Sequence, residues 1–311
     1  MRTTGQLITL DRTYPLVRIA DQDLRAEYAA SFSRDELKAT VGDLLELERS
    51  NESATPQIIG VLPRETLLAR RLCLKRPSVG EGLYEEHLLA ANFDRVFVVV
   101  ALGRRSLDLD YLEKQLVAAY ESGGKVVVVL NKSDLVTGQH LTEAVNEVAR
   151  LADGLEVVVC STENDEGIAA LRDLCPEGST SVFFGRSGVG KSSLINALIG
   201  SDDLATGKTR ERDQAGRHTT VVRRMVFANG RAYYDTPGVR SIGNYLNEVG
   251  LGEVFSDVIE LAHQCRFRDC THTIEPDCAV SQAIANQAIT RRRVDSYLSL
   301  AAEVTGDDRL V

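Results

Sequence analysis

Gly185-Arg186-Ser187-Gly188-Val189-Gly190-Lys191-Ser192 stands between an apolar run, Ser181-Val182-Phe183-Phe184, and Ser193–Ile199, whose apolar residues recur at helical spacing. A G-x-x-x-x-G-K-S loop joining a strand to a helix is a phosphate cradle. Its glycines let successive backbone N–H groups turn inward around an anion, and the helix N-terminus adds positive potential. In such a loop Lys191 brings a point charge to the β- and γ-phosphates. Ser192 completes a Mg²⁺ shell, with Ser193 beside it in the first helical turn. Residues 185–193 are therefore the expected nucleoside-triphosphate site.

The flanks predict the surrounding fold. From residue 94 onward, strand patterns (Val96–Ala101, Val126–Leu130, Val157–Val159, Ser181–Phe184, Val221–Phe227, Arg231–Tyr234) alternate with helical ones over residues 109–122, 141–152 and 166–174. Asn229-Gly230 marks a hairpin between the last two strands. Such alternation predicts a mostly parallel sheet with helices on both faces.

Three further stretches carry chemistry. Asn131-Lys132-Ser133-Asp134 follows a strand directly; an aspartate there accepts hydrogen bonds from guanine N1–H and its exocyclic amine, donors that adenine lacks. Ser161 and Thr162 follow the next strand, where backbone N–H groups can support the base. Asp235-Thr236-Pro237-Gly238 closes the hairpin: Asp235 can hold a Mg²⁺-bound water, and the Gly238 N–H can bond a γ-phosphate. Between loop and hairpin lies Gly216-Arg217-His218-Thr219-Thr220, in the place of a first switch segment. Either Thr219 or Thr220 can reach Mg²⁺ there. Val239 and Arg240 follow Gly238 where a water-orienting Gln would help hydrolysis, so His218 is the nearest candidate for that task.

The order of these motifs is unusual. The base-reading Asn131–Asp134 precedes the phosphate loop, whereas ordinary GTPases have it afterwards. Cutting the usual fold after the Asp-x-x-Gly element, and joining its old ends through residues 175–180, keeps all six strands.

Composition sets the frame. The chain has 311 residues, 43% hydrophobic and 26% charged, with a net charge of −9 that argues against indiscriminate nucleic-acid binding. Two clusters nevertheless reach a local balance of +4, over residues 62–76 and 207–224. The longest apolar run, Val96–Leu102, is too short to span a bilayer, and residues 1–20 lack a signal-peptide pattern, so a cytoplasmic protein with no membrane partner is expected. Residues 1–75 read as short strands (Leu7–Leu10, Leu16–Ile19, Leu44–Leu47, Ile58–Val61) separated by turns, as in a small oligonucleotide-binding barrel. Few aromatics lie there, which favours contact with an RNA backbone over base reading. Residues 76–83 read as a linker.

Beyond residue 243 the text turns helical, with candidates at Glu253–Ala262, Val280–Asn286 and Ser296–Val304. Cys265, Cys270, His272 and Cys278 offer three thiolates and an imidazole, the donor set of a closed structural zinc site. Binding on the order of 10 kcal/mol would stabilise so small a unit. The expected division is 1–75, an oligonucleotide-binding-type barrel; 76–242, a circularly permuted GTPase domain; and 243–311, a helical zinc domain.

Taken together, the chain resembles the circularly permuted GTPases that depend on the small ribosomal subunit, the RsgA or YjeQ type. Carrying the resemblance are Val41-Gly42-Asp43, Val61-Leu62-Pro63-Arg64, the permuted Asn131–Asp134 ahead of Gly185–Ser192, Gly216–Thr220, Asp235–Gly238, and Cys265, Cys270, His272, Glu275-Pro276 and Cys278. The resemblance implies GTP/GDP, Mg²⁺ and one structural Zn²⁺ as cofactors. It also implies that the small subunit and its rRNA are partners late in assembly and that the subunit stimulates hydrolysis. His218 matches the family's proposed catalytic histidine. Thr162-Glu163 departs from the commoner Ala-Lys or Ala-Leu. A monomer is expected. The rival reading is a nucleotide-gated RNA-binding scaffold whose hydrolysis is incidental. The Arg291–Arg293 run, followed by Asp307 and Asp308, is assigned no RNA contact.

Overall fold

The computed structural model describes all residues except 11–13, 31–36, 52–53, 74–83, 104, 202–203, 205–222, 237–247 and 306–311. The chain opens with β1 (Arg2–Leu10), β2 (Leu16–Ile19), β3 (Gln22–Arg25), β4 (Glu27–Tyr28), β5 (Leu44–Glu48) and β6 (Gln57–Val61). Two of these, β3 and β4, are short and polar and escape the sequence pattern. They are one strand bent at Ala26, which is fully buried and donates its N–H to the Pro15 carbonyl. Antiparallel pairs join β1 to β2, β2 to β3, β1 to β5 and β5 to β6, while β4 runs parallel to β6. The ring therefore closes as an oligonucleotide-binding-type barrel around Leu7, Val17, Leu45, Leu47 and Ile58, all fully buried.

A hairpin follows, β7 (Leu67–Cys73) against β8 (Tyr84–Ala91), neither predicted from the sequence. The stretch read as a linker, residues 76–83, lies outside the described residues. Next come β9 (Arg95–Ala101), α1 (Leu109–Glu121), β10 (Lys125–Asn131), α2 (Gly138–Ala149), β11 (Glu156–Cys160), α3 (Ile168–Asp173), β12 (Thr180–Phe184), α4 (Lys191–Ile199), β13 (Arg223–Ala228) and β14 (Arg231–Asp235). All six strands expected here are present, in the order β11-β10-β9-β12-β14-β13. Every neighbouring pair is parallel except β13 with β14. The phosphate-loop strand β12 thus lies mid-sheet, with earlier strands on one side and later ones on the other, as the permuted order requires.

Side chains alternate between the two faces. Val96, Val98, Val128 and Val182 pack toward Leu112, Leu116 and Val117 of α1, whereas Phe97, Val99, Val127 and Phe183 pack toward α3 and α4. The barrel is stitched to this sheet: β1 pairs with β13 through Thr9–Arg224 and Leu10–Arg223.

Gly42 lies at the seam. Its φ of +95° is left-handed, and a Cβ there would collide with the Ala91 carbonyl and the Tyr234 hydroxyl. Tyr234 in turn donates to the Ala91 carbonyl at 2.7 Å. Beside it, fully buried Asp43 takes a two-pronged ion pair from Arg64 (2.6 and 2.9 Å) and the Thr40 N–H at 2.7 Å. The V-G-D and V-L-P-R stretches are two halves of one buried contact.

The C-terminal helices are α5 (Glu248–Val254), α6 (Ser256–Ala262), α7 (Ala279–Ala285) and α8 (Arg291–Thr305). The single helix expected over Glu253–Ala262 is instead broken at Phe255, which caps α6 with φ −112° and ψ 30°. Its fully buried ring packs on Tyr297 and beneath the Arg293 guanidinium. The helix expected from Ser296 begins five residues earlier, at Arg291. Arg292 and Arg293 turn inward onto Glu113 of α1, which is fully buried.

Candidate functional site

Parallel strands end side by side, so β9, β10, β11, β12 and β14 deliver their following loops to one edge of the sheet. There the phosphate loop and the Asn131–Asp134 turn touch directly. The Asn131 side-chain amide donates to the Val189 carbonyl at 2.8 Å, and the Lys132 ammonium donates to the Gly188 carbonyl at 2.8 Å. Gly190 makes this approach possible. With φ +102° it takes a conformation L side chains avoid, and the Asn131 amide fills the space a Cβ would need.

Within the loop, Lys191 is buried and its ammonium bonds the Gly185 and Arg186 carbonyls, each at 3.0 Å. Ser192 and Asp235, also buried, face one another with Oγ donating to Oδ1 at 3.1 Å. A hydroxyl and a carboxylate held together beside the ammonium are a hard-oxygen pair of the kind that holds Mg²⁺ directly or through water. The donor set fits. Thr236 is anchored by its hydroxyl to the Phe183 carbonyl at 2.5 Å, which fixes the end of β14 against β12. His218, Thr219, Thr220 and Gly238 lie outside the described residues.

In the Asn131–Asp134 turn, Ser133–Leu135 forms a 3₁₀ segment that leaves Asp134 exposed. Ser161, fully buried, donates its hydroxyl to Asp134 Oδ1 at 2.5 Å and accepts the Glu163 N–H at 3.2 Å. Thr162 is half-buried next to it. The turn and the following loop therefore form one unit, although only Ser161 matched the expected pattern.

Arg186 plays a part that sequence reasoning missed. Its guanidinium lies 3.7 Å from the Tyr111 ring centroid and 3.1 Å from Asp108 Oδ2, while Asp108 Oδ1 caps α1 at the Tyr111 N–H. These residues line a cleft of about 370 Å³ beside the loop, with Val99, Leu107 and Val189. The i, i+3 spacing of Asp108 and Tyr111 was the available signal, but only the tertiary fold brings it to residue 186.

The cysteine cluster forms a second centre. Donor atoms of Cys265, Cys270, His272 and Cys278 all lie within 4.8 Å of one another. His272 Nδ1 is 3.5 Å from the sulfurs of both Cys265 and Cys278, and those sulfurs are 3.9 Å apart. A tetrahedron with Zn–S of about 2.3 Å and Zn–N of about 2.0 Å has edges of roughly 3.5–3.8 Å, so the shell fits zinc. Burial works against ionising Cys278, yet hydrogen bonds from Ser281 bring its thiol down to about 6. The loop between ligands is organised by Glu275. Its carboxylate accepts from the Thr271 N–H (2.9 Å) and hydroxyl (2.6 Å) and from the Thr273 N–H (3.1 Å). The Thr271 bonds are the main reason its pKa falls to about 2.

Comparisons with known proteins point to one family. Residues 67–245 match the family model described as RsgA GTPase. A Methanosarcina acetivorans protein named small ribosomal subunit biogenesis GTPase RsgA is 34% identical over 97% of this chain and 79% of its own length. A Listeria monocytogenes protein named RsgA 2 with the same description is 40% identical over 89% of this chain and 78% of its own length. Among solved structures, YjeQ from Thermotoga maritima superposes with a TM-score of 0.68 at 27% identity, covering 99% of this chain and 100% of that one. YloQ, described as a circularly permuted GTPase, shares the fold with a TM-score of 0.64 at 22% identity over 98% of this chain and 96% of its own. With the permuted strand order, the Gly185–Ser192 loop bonded to the Asn131–Asp134 turn and a relative matched over nearly the whole chain, this protein belongs to the RsgA GTPase family.

Proposed function

We propose that the chain binds the small ribosomal subunit late in its maturation, hydrolyses GTP to GDP and phosphate there, and uses its nucleotide state to control association and release. The observation that carries the reading is the bonded pair of loops, Asn131 to Val189 and Lys132 to Gly188, which makes one nucleotide site from segments more than fifty residues apart. The relatives' names, which specify small-subunit biogenesis, support the partner.

Within that site Asp134 selects guanine, with Ser161 and Thr162 supporting the base. Lys191 exchanges the Gly185 and Arg186 carbonyls for β- and γ-phosphate oxygens, cradled by the N–H groups of residues 185–193. Ser192 and Asp235, with Thr219 or Thr220, would hold Mg²⁺, which when bound would supply positive charge to the phosphates. His218 orients the attacking water, and Gly238 senses the γ-phosphate. Cys265, Cys270, His272 and Cys278 hold zinc, whose chemistry is structural because all four positions are filled by protein.

The division into 1–75, 76–242 and 243–311 assigns the barrel to rRNA, the permuted domain to nucleotide and the zinc domain to a docking unit. The protein acts as a cytoplasmic monomer; among the described residues no helix is long and apolar enough to cross a membrane. The test is GTP turnover with and without isolated small subunits. Strong stimulation is expected; binding without stimulation would overturn the enzyme reading in favour of a scaffold.

A further inference from the structure

We propose that Glu166 is a positioning residue for guanine selection, stapling together the two loops that fix Asp134; this rests on the reading of Asp134 as the guanine selector. Loops after β10 and β11 leave the sheet as neighbours, since Asn131 pairs with Cys160 in the parallel register. Beyond the strands, and besides the Ser161–Asp134 bond, Glu166 ties them together. Its carboxylate accepts the Ser133 hydroxyl at 2.5 Å, and its backbone carbonyl accepts the Ser161 N–H at 2.9 Å. Ser133 immediately precedes Asp134, and Ser161 is the residue whose hydroxyl holds Asp134 Oδ1. One residue therefore grips both neighbours of the selector without touching it.

The backbone around Glu166 is built to hold it there. Its N–H donates to the Asn164 side chain at 3.2 Å, Asp165 has φ +58°, and Gly167, at φ +68°, admits no Cβ against the Val159 carbonyl. The carboxylate bond is charge-assisted and short, the stronger class of hydrogen bond. Asp134 itself is exposed on a one-turn 3₁₀ segment, so its aim depends on such outside anchors.

Guanine presents two donors to a carboxylate, N1–H and the exocyclic amine, and both bonds need the correct carboxylate orientation. Inosine keeps N1–H and lacks the amine, so the GDP-to-IDP affinity ratio reports orientation. A hydrogen bond to a charged group corresponds to a ratio of about 10–100. A loss of folding or of phosphate binding weakens both nucleotides alike and leaves that ratio unmoved.

The experiment measures GDP, IDP and XDP affinities by titration calorimetry on the full chain and on Glu166→Ala, Glu166→Gln, Ser133→Ala and Asp134→Asn. Glu166→Ala and Ser133→Ala are expected to lower the GDP-to-IDP ratio at least about fivefold, with Glu166→Gln, which still accepts through its amide oxygen, within about twofold of the parent. Asp134→Asn is expected to favour XDP over GDP, because the amide donates to the xanthine 2-oxo group. If Asp134→Asn changes preference while both alanine variants keep the parent ratio, the role of Glu166 is refuted and the guanine reading stands. If Asp134→Asn does not change preference, the guanine reading falls, and this inference with it. Ser133→Ala removes the same bond from its donor side, so the outcome does not depend on Glu166→Ala folding well.

Discussion

Glu113→Gln should loosen the C-terminal helices from the nucleotide domain far more than its position, 21 residues from Asp134, would indicate. Glu113 is fully buried on α1 and accepts four bonds from α8: Arg292 twice (both 2.9 Å), Arg293 (2.6 Å) and the Ser296 hydroxyl (2.5 Å). Arg293 is itself buried, bonded further to Asp257 and to the Leu151 and Val254 carbonyls. The Glu113 bonds are the leading cause that raises the Arg292 pKa, so that group stays charged throughout. Neutralising one member of such a network leaves a buried guanidinium undercompensated, at a cost of about 3–5 kcal/mol. Lys114→Ala, on the same helix, removes only a partly exposed pair with Glu303 and should cost less than about 1 kcal/mol. At 1.4 kcal/mol per decade, the first change multiplies the opening equilibrium of α8 by roughly 10² to several thousandfold and the second by less than about tenfold. Native-state hydrogen exchange of α8 amides such as Val294 and Leu298 reads that equilibrium directly. Equal protection loss in the two variants would refute the reasoning.

His218→Ala should slow subunit-stimulated turnover by roughly 10²–10⁴-fold while GDP affinity stays nearly intact; steady-state kinetics with a fluorescent GDP titration check both halves. Chelation of zinc should unfold α7 and the loop before it, seen as lost amide protection there, and Glu275→Ala should lower zinc affinity by about 10–100-fold in a competition titration. Gly42→Ala must relieve both a left-handed φ and collisions with Ala91 and Tyr234, so thermal unfolding should show a loss of at least about 2 kcal/mol.

The nucleotide site was legible because its motifs carry their local chemistry with them. Gly190 is readable from the loop pattern alone, although the Asn131 amide that fills the place of its Cβ is distant in sequence, and Val126–Leu130 is an apolar run buried throughout. The hairpin of β7 and β8 was not legible, since Leu-Leu-Ala-Arg-Arg-Leu-Cys lacks alternation and becomes a strand only through its partner. The break at Phe255 was hidden for the same reason: a continuous helical pattern says nothing about the Arg293 guanidinium and Tyr297 ring that hold Phe255 between two helices. The Arg291–Arg293 run carried no sequence signal for its partner. The buried carboxylate that receives it lies about 180 residues away.

Permutation has a mechanical consequence that runs through α1. β14 ends at Asp235 and α5 begins at Glu248, so the segment that follows the Asp235 motif is covalently joined to the C-terminal helices. A second, non-covalent route runs in parallel. The start of α1 holds Arg186 of the Gly185–Ser192 loop through Asp108 and Tyr111, and Asp110 and Glu113, interleaved with them, hold Arg292 and Arg293 of α8. The two routes converge, because α5 packs on α1 so closely that a Cβ on Gly250 would strike the Val117 carbonyl. A thirteen-residue helix is about 20 Å of stiff rod. Whatever displaces Arg186 or the end of β14 therefore bears on the same α1–α5 contact. Glu113→Gln cuts only the α1–α8 branch of the non-covalent route, so any difference in protection of α8 between GDP and a non-hydrolysable GTP analogue that survives in that variant has travelled along the chain or through the α1–α5 contact.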